Sequence, residues 1–180
     1  MALKTYRHPV QTYLILPDQL LWAQRYVAAA LEVARQQGKE PKNVKSRSRQ
    51  LKLHQLCCTA FAATYGLQEQ FLDLHAQRLS IWPPDVDFFV DDKRIRIVGV
   101  SADETHSFGA TLSGKVWEND FARGKASHYI LASWFPPYVD FVGWLAREDL
   151  VHMKERSWYS IQEANVRPMS TLGLKVAGAA

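Results

Sequence analysis

The chain has 180 residues, 47% of them hydrophobic, with 22 Lys and Arg against 18 Asp and Glu and a formal net charge of +4. That length fits one domain, and the apolar fraction is enough to build a core, which excludes an intrinsically disordered chain. No stretch of about 18 apolar residues is present, so no membrane span is expected, and the cationic excess favours acidic partners, of which nucleic acid is the commonest.

The opening segment carries a short apolar patch broken by Gln11 and Thr12. It lacks the form of a secretion signal, which predicts an intracellular, cytoplasmic protein. Gln11 to Leu16 is β-branched and aromatic enough for a strand. From Gln19 to Gln37 strong helix formers dominate, and Leu20, Ala23, Val27, Ala30, Leu31 and Ala34 recur at helical spacing. Asp18 is the expected N-cap and Gly38 the expected stop. Residues 1–48 thus form an N-terminal strand and helix ending in a basic linker, Lys39 to Ser48.

In that linker and just beyond it, Lys39, Lys42, Lys45, Arg47, Arg49 and Lys52 are opposed only by Glu40. Such a run can neutralise phosphates and release counterions, or it can be a solvated loop and helix start. A second helix is expected over Arg49 to Tyr65, ended by Gly66, and a third over Gln68 to Leu79. Cys57 and Cys58 are adjacent, which is poor geometry for a mutual disulfide and lacks the spaced partners of a zinc site. They are expected as small buried residues on the second helix.

After Trp82, Pro83 and Pro84 the period becomes strand-like. Val86 to Val90 and Arg94 to Val100 predict a hairpin closed by Asp91-Asp92-Lys93. Ser101 to Gly114 is expected to be a loop, and Trp117 to Lys125 fits helix and strand equally. His128 to Trp134 and Tyr138 to Leu145 are apolar enough for central strands, separated by Pro136-Pro137. Arg147 to Leu150 predicts a helical turn, Trp158 to Ile161 a last strand, and residues 171–180 a tail. The expected class is therefore α/β: one domain with a central mixed sheet of about four to five strands flanked by helices.

The order of these elements over roughly Arg49 to Met169 resembles the PD-(D/E)XK nuclease-like superfamily, particularly small phage and bacterial members. The resemblance implies a restriction-endonuclease-like core, residues 49–170, in which one strand supplies an aspartate and the next an acid and a lysine two residues apart. Residues i and i+2 of a strand face one side. There the acids hold Mg²⁺ through oxygen, and the lysine orients the attacking water.

Matched to that pattern, Asp87-Phe88-Phe89-Val90 supplies the aspartate, with Asp85 as the alternative acid. Ile95-Arg96-Ile97-Val98 places Arg96 at the second acid and Val98 at the lysine. The resemblance also implies a glutamate on the preceding helix, and that position falls at Thr59. An arginine about 4 Å from a divalent cation repels it by roughly 8 kcal/mol at an effective dielectric of about 20, and a valine cannot position water. The resemblance therefore implies a catalytically inactive protein with no metal and no cofactor, acting by binding.

Three readings follow. The first is nucleic-acid binding through Lys42, Lys45, Arg47, Arg49, Lys52, Lys93, Arg94 and Arg96, with Arg96 on a phosphate in place of the metal. The second is a protein-binding or structural module, such as a phage virion component or an inhibitor of a host enzyme. The third is an active Mg²⁺-dependent nuclease in which Asp85 and Asp87, or ligands relocated to Asp103, Glu104 and Asp120, hold the ion. No paired-histidine metal motif, phosphate loop or nucleophile elbow is present, and His106 with Ser107 and Asp103 shares one loop, which excludes usual triad geometry. Trp134, Phe135, Tyr138, Phe141 and Trp144 could form a base-stacking platform, but their place in apolar strands favours the core, and Trp117 and Trp158 are the better candidates for an exposed contact.

Overall fold

The computed structural model describes residues 6, 8–73, 78–82, 84–102 and 112–178. The first strand, β1 (Gln11–Leu14), leads into helix α1 (Pro17–Gln36). The N-cap is Leu16 rather than Asp18, because Pro17 has the fixed φ that suits the first helical position. Asp18 instead lies inside the first turn, where its charge favours the helix dipole.

Helix α2 (Val44–Tyr65) starts five residues before the expected Arg49. Asn43 explains the difference: its Oδ1 accepts the Ser46 N–H at 3.0 Å and caps the helix within what reads as a linker. Lys45 and Arg47 are therefore helical. Gly66, at φ +71°, ends α2 in the left-handed conformation that glycine adopts without steric cost. A short helix α3 (Gln68–Phe71) follows; of the helix expected to Leu79, residues 74–77 lie outside the described set and Arg78 and Leu79 are not helical.

The hairpin consists of β2 (Phe88–Val90) and β3 (Lys93–Ser101). Next come β4 (Ser113–Trp117), helix α4 (Glu118–Arg123), β5 (His128–Phe135), β6 (Tyr138–Ala146) and the one-turn helix α5 (Arg147–Leu150). Strands β7 (Lys154–Glu155) and β8 (Trp158–Gln162) complete the set. Five strands form one mixed sheet in the order β1-β6-β5-β3-β2, with β3 and β5 parallel and the other pairs antiparallel. The flanking three-stranded ladder β4-β8-β7 was not foreseen, since its first strand lies partly inside the expected loop Ser101 to Gly114.

Both faces of the five-stranded sheet are buried. Ile95 and Ile97 of β3 pack with Leu56, Phe61, Phe88 and Phe141 on the α2 side. Val98 and Val100 pack on the other side with Val116, Phe121, Leu131 and Ile161. This alternation is the strand period at work, and burial of both faces accounts for the apolar runs in β5 and β6. Phe141 and Trp144 are core residues as expected, whereas Phe135 and Tyr138 are exposed at the β5–β6 turn. β4 can lie this close only because residue 114 is glycine: a Cβ there would meet Val98 Cγ1 at 2.6 Å. Among the described residues no helix is long and apolar enough to cross a membrane.

Candidate functional site

The strand pairing leaves an opening. β2 covers β3 only at Lys93 to Ile95, while β5 pairs β3 on its other side through Ser101. Past Ile95, the outer edge of β3 therefore has no partner strand among the described residues. A cleft of about 470 Å³ lies there, lined by Arg96 to Ser101, by Arg47 and His54 of α2, by Lys115 and Trp117 of β4, and by Trp82, Asp85 and Asp120.

Asp87 stands where the two strands part, fully buried. Its N–H donates to the Ile95 carbonyl at 2.8 Å, and its Oδ2 accepts the Ile97 N–H at 2.7 Å. The side chain thus takes up a donor that a longer β2 would otherwise satisfy. Its Oδ1 lies 2.9 Å from His54 Nε2 and 3.7 Å from Arg96 Nη1. At that distance Arg96 is ion-paired to Asp87 without a hydrogen bond, and Nη1 is buried with no hydrogen-bond partner. Arg96 itself lines the cleft, backed by the carboxylate.

Arg47 is the second guanidinium of the cleft. Its Nε donates to the Ile81 carbonyl at 2.8 Å, and its carbon lies 4.1 Å from the ring centroid of Trp82. Burial lowers its pKa, Asp120 opposes that shift, and the charge of Arg96 adds to it. Arginine remains charged in any case, so two cations converge on one space.

Of the eight cationic residues expected to touch nucleic acid, only Arg47 and Arg96 line the cleft. Lys42 is exposed just before α2, Lys45 and Arg49 are exposed along its start, and Lys52 is half-buried on it. Lys93 pairs with Asp92 at 3.1 Å at the hairpin turn, and Arg94 is exposed beside it. Thr59 turns its hydroxyl back to the Gln55 carbonyl at 2.8 Å. The α2 residues that meet the acid are His54 and Cys58, four apart and so on one helix face. Val98 is buried in the core beneath Gly114, and Asp85 is exposed on the cleft wall. Asp103, Glu104, His106 and Ser107 lie outside the described residues, whereas Asp120 lines the cleft.

His54, Cys58 and Asp87 bring three donor atoms within 4.8 Å of one another. The surroundings do not fit Mg²⁺, which takes oxygen ligands: one carboxylate is present, one of its oxygens is committed to Ile97, and a guanidinium stands against the other. Burial, reinforced by Asp87, pushes the Cys58 thiol well above its ordinary pKa and that of Cys57 up to about 12.

Sequence reasoning missed His54 and Cys58 as partners of the acid, and Trp82 and Lys115 as parts of the cleft. The i, i+4 spacing of His54 and Cys58 was the available signal. No protein-family model matches the chain, and no curated protein or solved structure matches it either.

Proposed function

We propose that this protein has a restriction-endonuclease-like core that has lost its catalytic centre, and that it binds nucleic acid through phosphate contacts in the β3 cleft without a metal and without cutting. The observation that carries the reading is the Asp87–Arg96 pair: a guanidinium stands beside the one acid that the nuclease pattern retains, and its outer side lines a cleft shared with Arg47 and Lys115. Guanidinium groups engage phosphate oxygens in paired, charge-assisted hydrogen bonds, which suits this cleft to phosphodiesters. Lys45 and Arg49, exposed on the same helix as Arg47, and Lys42 just before its cap extend the cationic surface beyond it.

Binding of a labelled oligonucleotide, single-stranded and duplex, tests the proposal across a salt series. The expected result is an affinity that falls linearly in log–log form, with the slope reduced by about one for each of Arg47→Ala and Lys115→Ala. Absence of binding at low salt would overturn it. Cleavage in Mg²⁺ or Mn²⁺ that vanishes in Asp120→Ala would establish the active-nuclease reading instead.

A further inference from the structure

Two tryptophans of the cleft have no role in either sheet core. Trp82 is 61% exposed and Trp117 is 53% exposed, and both line the cavity that holds Arg47 and Arg96. Each ring is held in place. The Arg47 guanidinium lies over Trp82, and Trp117 meets Trp158 in an edge-to-face contact at 5.8 Å between centroids. Lys115, two residues before Trp117 on the same strand, sits over the Trp158 ring at 4.3 Å. Held indoles with accessible surface beside cations form a pattern suited to flat, electron-rich partners next to an anion.

We infer that the nucleic acid taken by this cleft is single-stranded, with unpaired bases stacked on Trp82 and Trp117 and an intervening phosphate seated on Arg47 and Arg96. The inference rests on the nucleic-acid reading above and narrows it. Three observations favour a single strand over a duplex. In a duplex the base faces are already stacked on one another, so exposed indoles gain nothing from it, whereas an unpaired base offers a face whatever its identity. The cavity, at about 470 Å³, lies in the range of small-molecule sites, roughly 300–1,000 Å³, and has room for on the order of one or two nucleotides. Finally, Asp85 and Asp120 share the lining, so its cations Arg47, Arg96 and Lys115 exceed its exposed acids by one. That balance favours few phosphate contacts within the cleft, which leaves stacking to supply much of the affinity there.

Fluorescence anisotropy of the full chain with labelled oligothymidylate, oligouridylate and a DNA duplex of equal length, at one low salt concentration, tests this. The single strands should bind at least about ten-fold tighter than the duplex. Trp82→Ala and Trp117→Ala should each weaken single-strand binding about five-fold or more, the loss expected for one base stack, and leave duplex binding unchanged. Trp82→Phe, which keeps a ring, should restore most of the affinity. Both tryptophans are exposed, and unchanged far-UV circular dichroism would confirm that the variants fold. Equal or tighter duplex binding, still weakened by Arg47→Ala, would overturn the single-strand inference while leaving the nucleic-acid reading intact. Alanine variants at both tryptophans that bind single strands like the parent would do the same. Absence of binding to all three probes would overturn both.

Discussion

Asp87 and Arg96 face each other at the point where β2 and β3 separate, with carboxylate Oδ1 3.7 Å from guanidinium Nη1. The acid side chain is wholly buried and the arginine side chain is 16% exposed. Removing a charged group from water is costly, and here the cost is offset on the acid side by His54 and by the Ile97 N–H as well as by the arginine. Asp87 thus does two structural jobs, ending one strand pair and holding a cation at the edge of the cleft.

Asp87→Ala should destabilise the protein by about 3–5 kcal/mol, because it leaves Arg96 without its counter-charge and the Ile97 N–H without an acceptor. Adding Arg96→Met should recover part of that loss, since the uncompensated cation disappears with it. Urea unfolding of the two single variants and the double variant measures the coupling. Additive losses would show that the pair does not interact.

A second prediction concerns the wall of the cleft. β4 carries Lys115 and Trp117, and its position depends on Gly114, where a Cβ would lie 2.6 Å from Val98 Cγ1 and 3.1 Å from Leu131 Cδ1. Gly114→Ala should therefore cost about 1–3 kcal/mol through overpacking. It should also weaken any ligand that uses both Arg96 and Trp117, by moving β4 off β3. Val98→Ala in the same chain removes the clashing methyl and should return part of the stability. Thermal midpoints of the parent and the two variants decide it, and an unchanged midpoint for Gly114→Ala would refute the close-packing account.

The parts of this architecture that the sequence displays are those set by local chemistry. α1 is legible from its apolar spacing and from the glycine after it, though not in its first residues, and the β2–β3 hairpin from β-branched residues around Asp91-Asp92. The start of α2 is not, because a lysine-rich polar stretch hides a helix whose cap is the single side chain of Asn43. β4 is obscured by brevity, with a serine and a glycine among its five residues. Asp87 could be picked out by its place in the hairpin. Its partner His54 could not, because the two are 33 residues apart and only the packing of α2 on β3 joins them. Trp82 likewise gains its setting from Arg47, which reaches it across the α1–α2 side of the molecule.

The last prediction is a dependence of stability on pH at His128, the first residue of β5. Its Nδ1 lies 2.9 Å from Ser127 Oγ, and its ring packs against Trp144 with centroids 5.3 Å apart. Burial lowers its pKa, and the nearby positive charges of Lys93 and Arg167 act in the same direction, against Asp92 and Glu148. The folded protein therefore holds a proton at this site less well than the unfolded chain, whose histidine titrates near about 6.5. Between the lowered folded value and that unfolded value the unfolded state binds more protons, so the contribution of His128 to stability falls as pH drops through the window and is unperturbed above it. His128→Gln, which cannot take up the proton, should lose less stability than the parent between about pH 7.5 and about pH 5. Carboxylates elsewhere titrate in both proteins, so the difference between the two urea midpoints isolates the histidine. Parallel curves would show that His128 is protonated equally in the folded and unfolded chains.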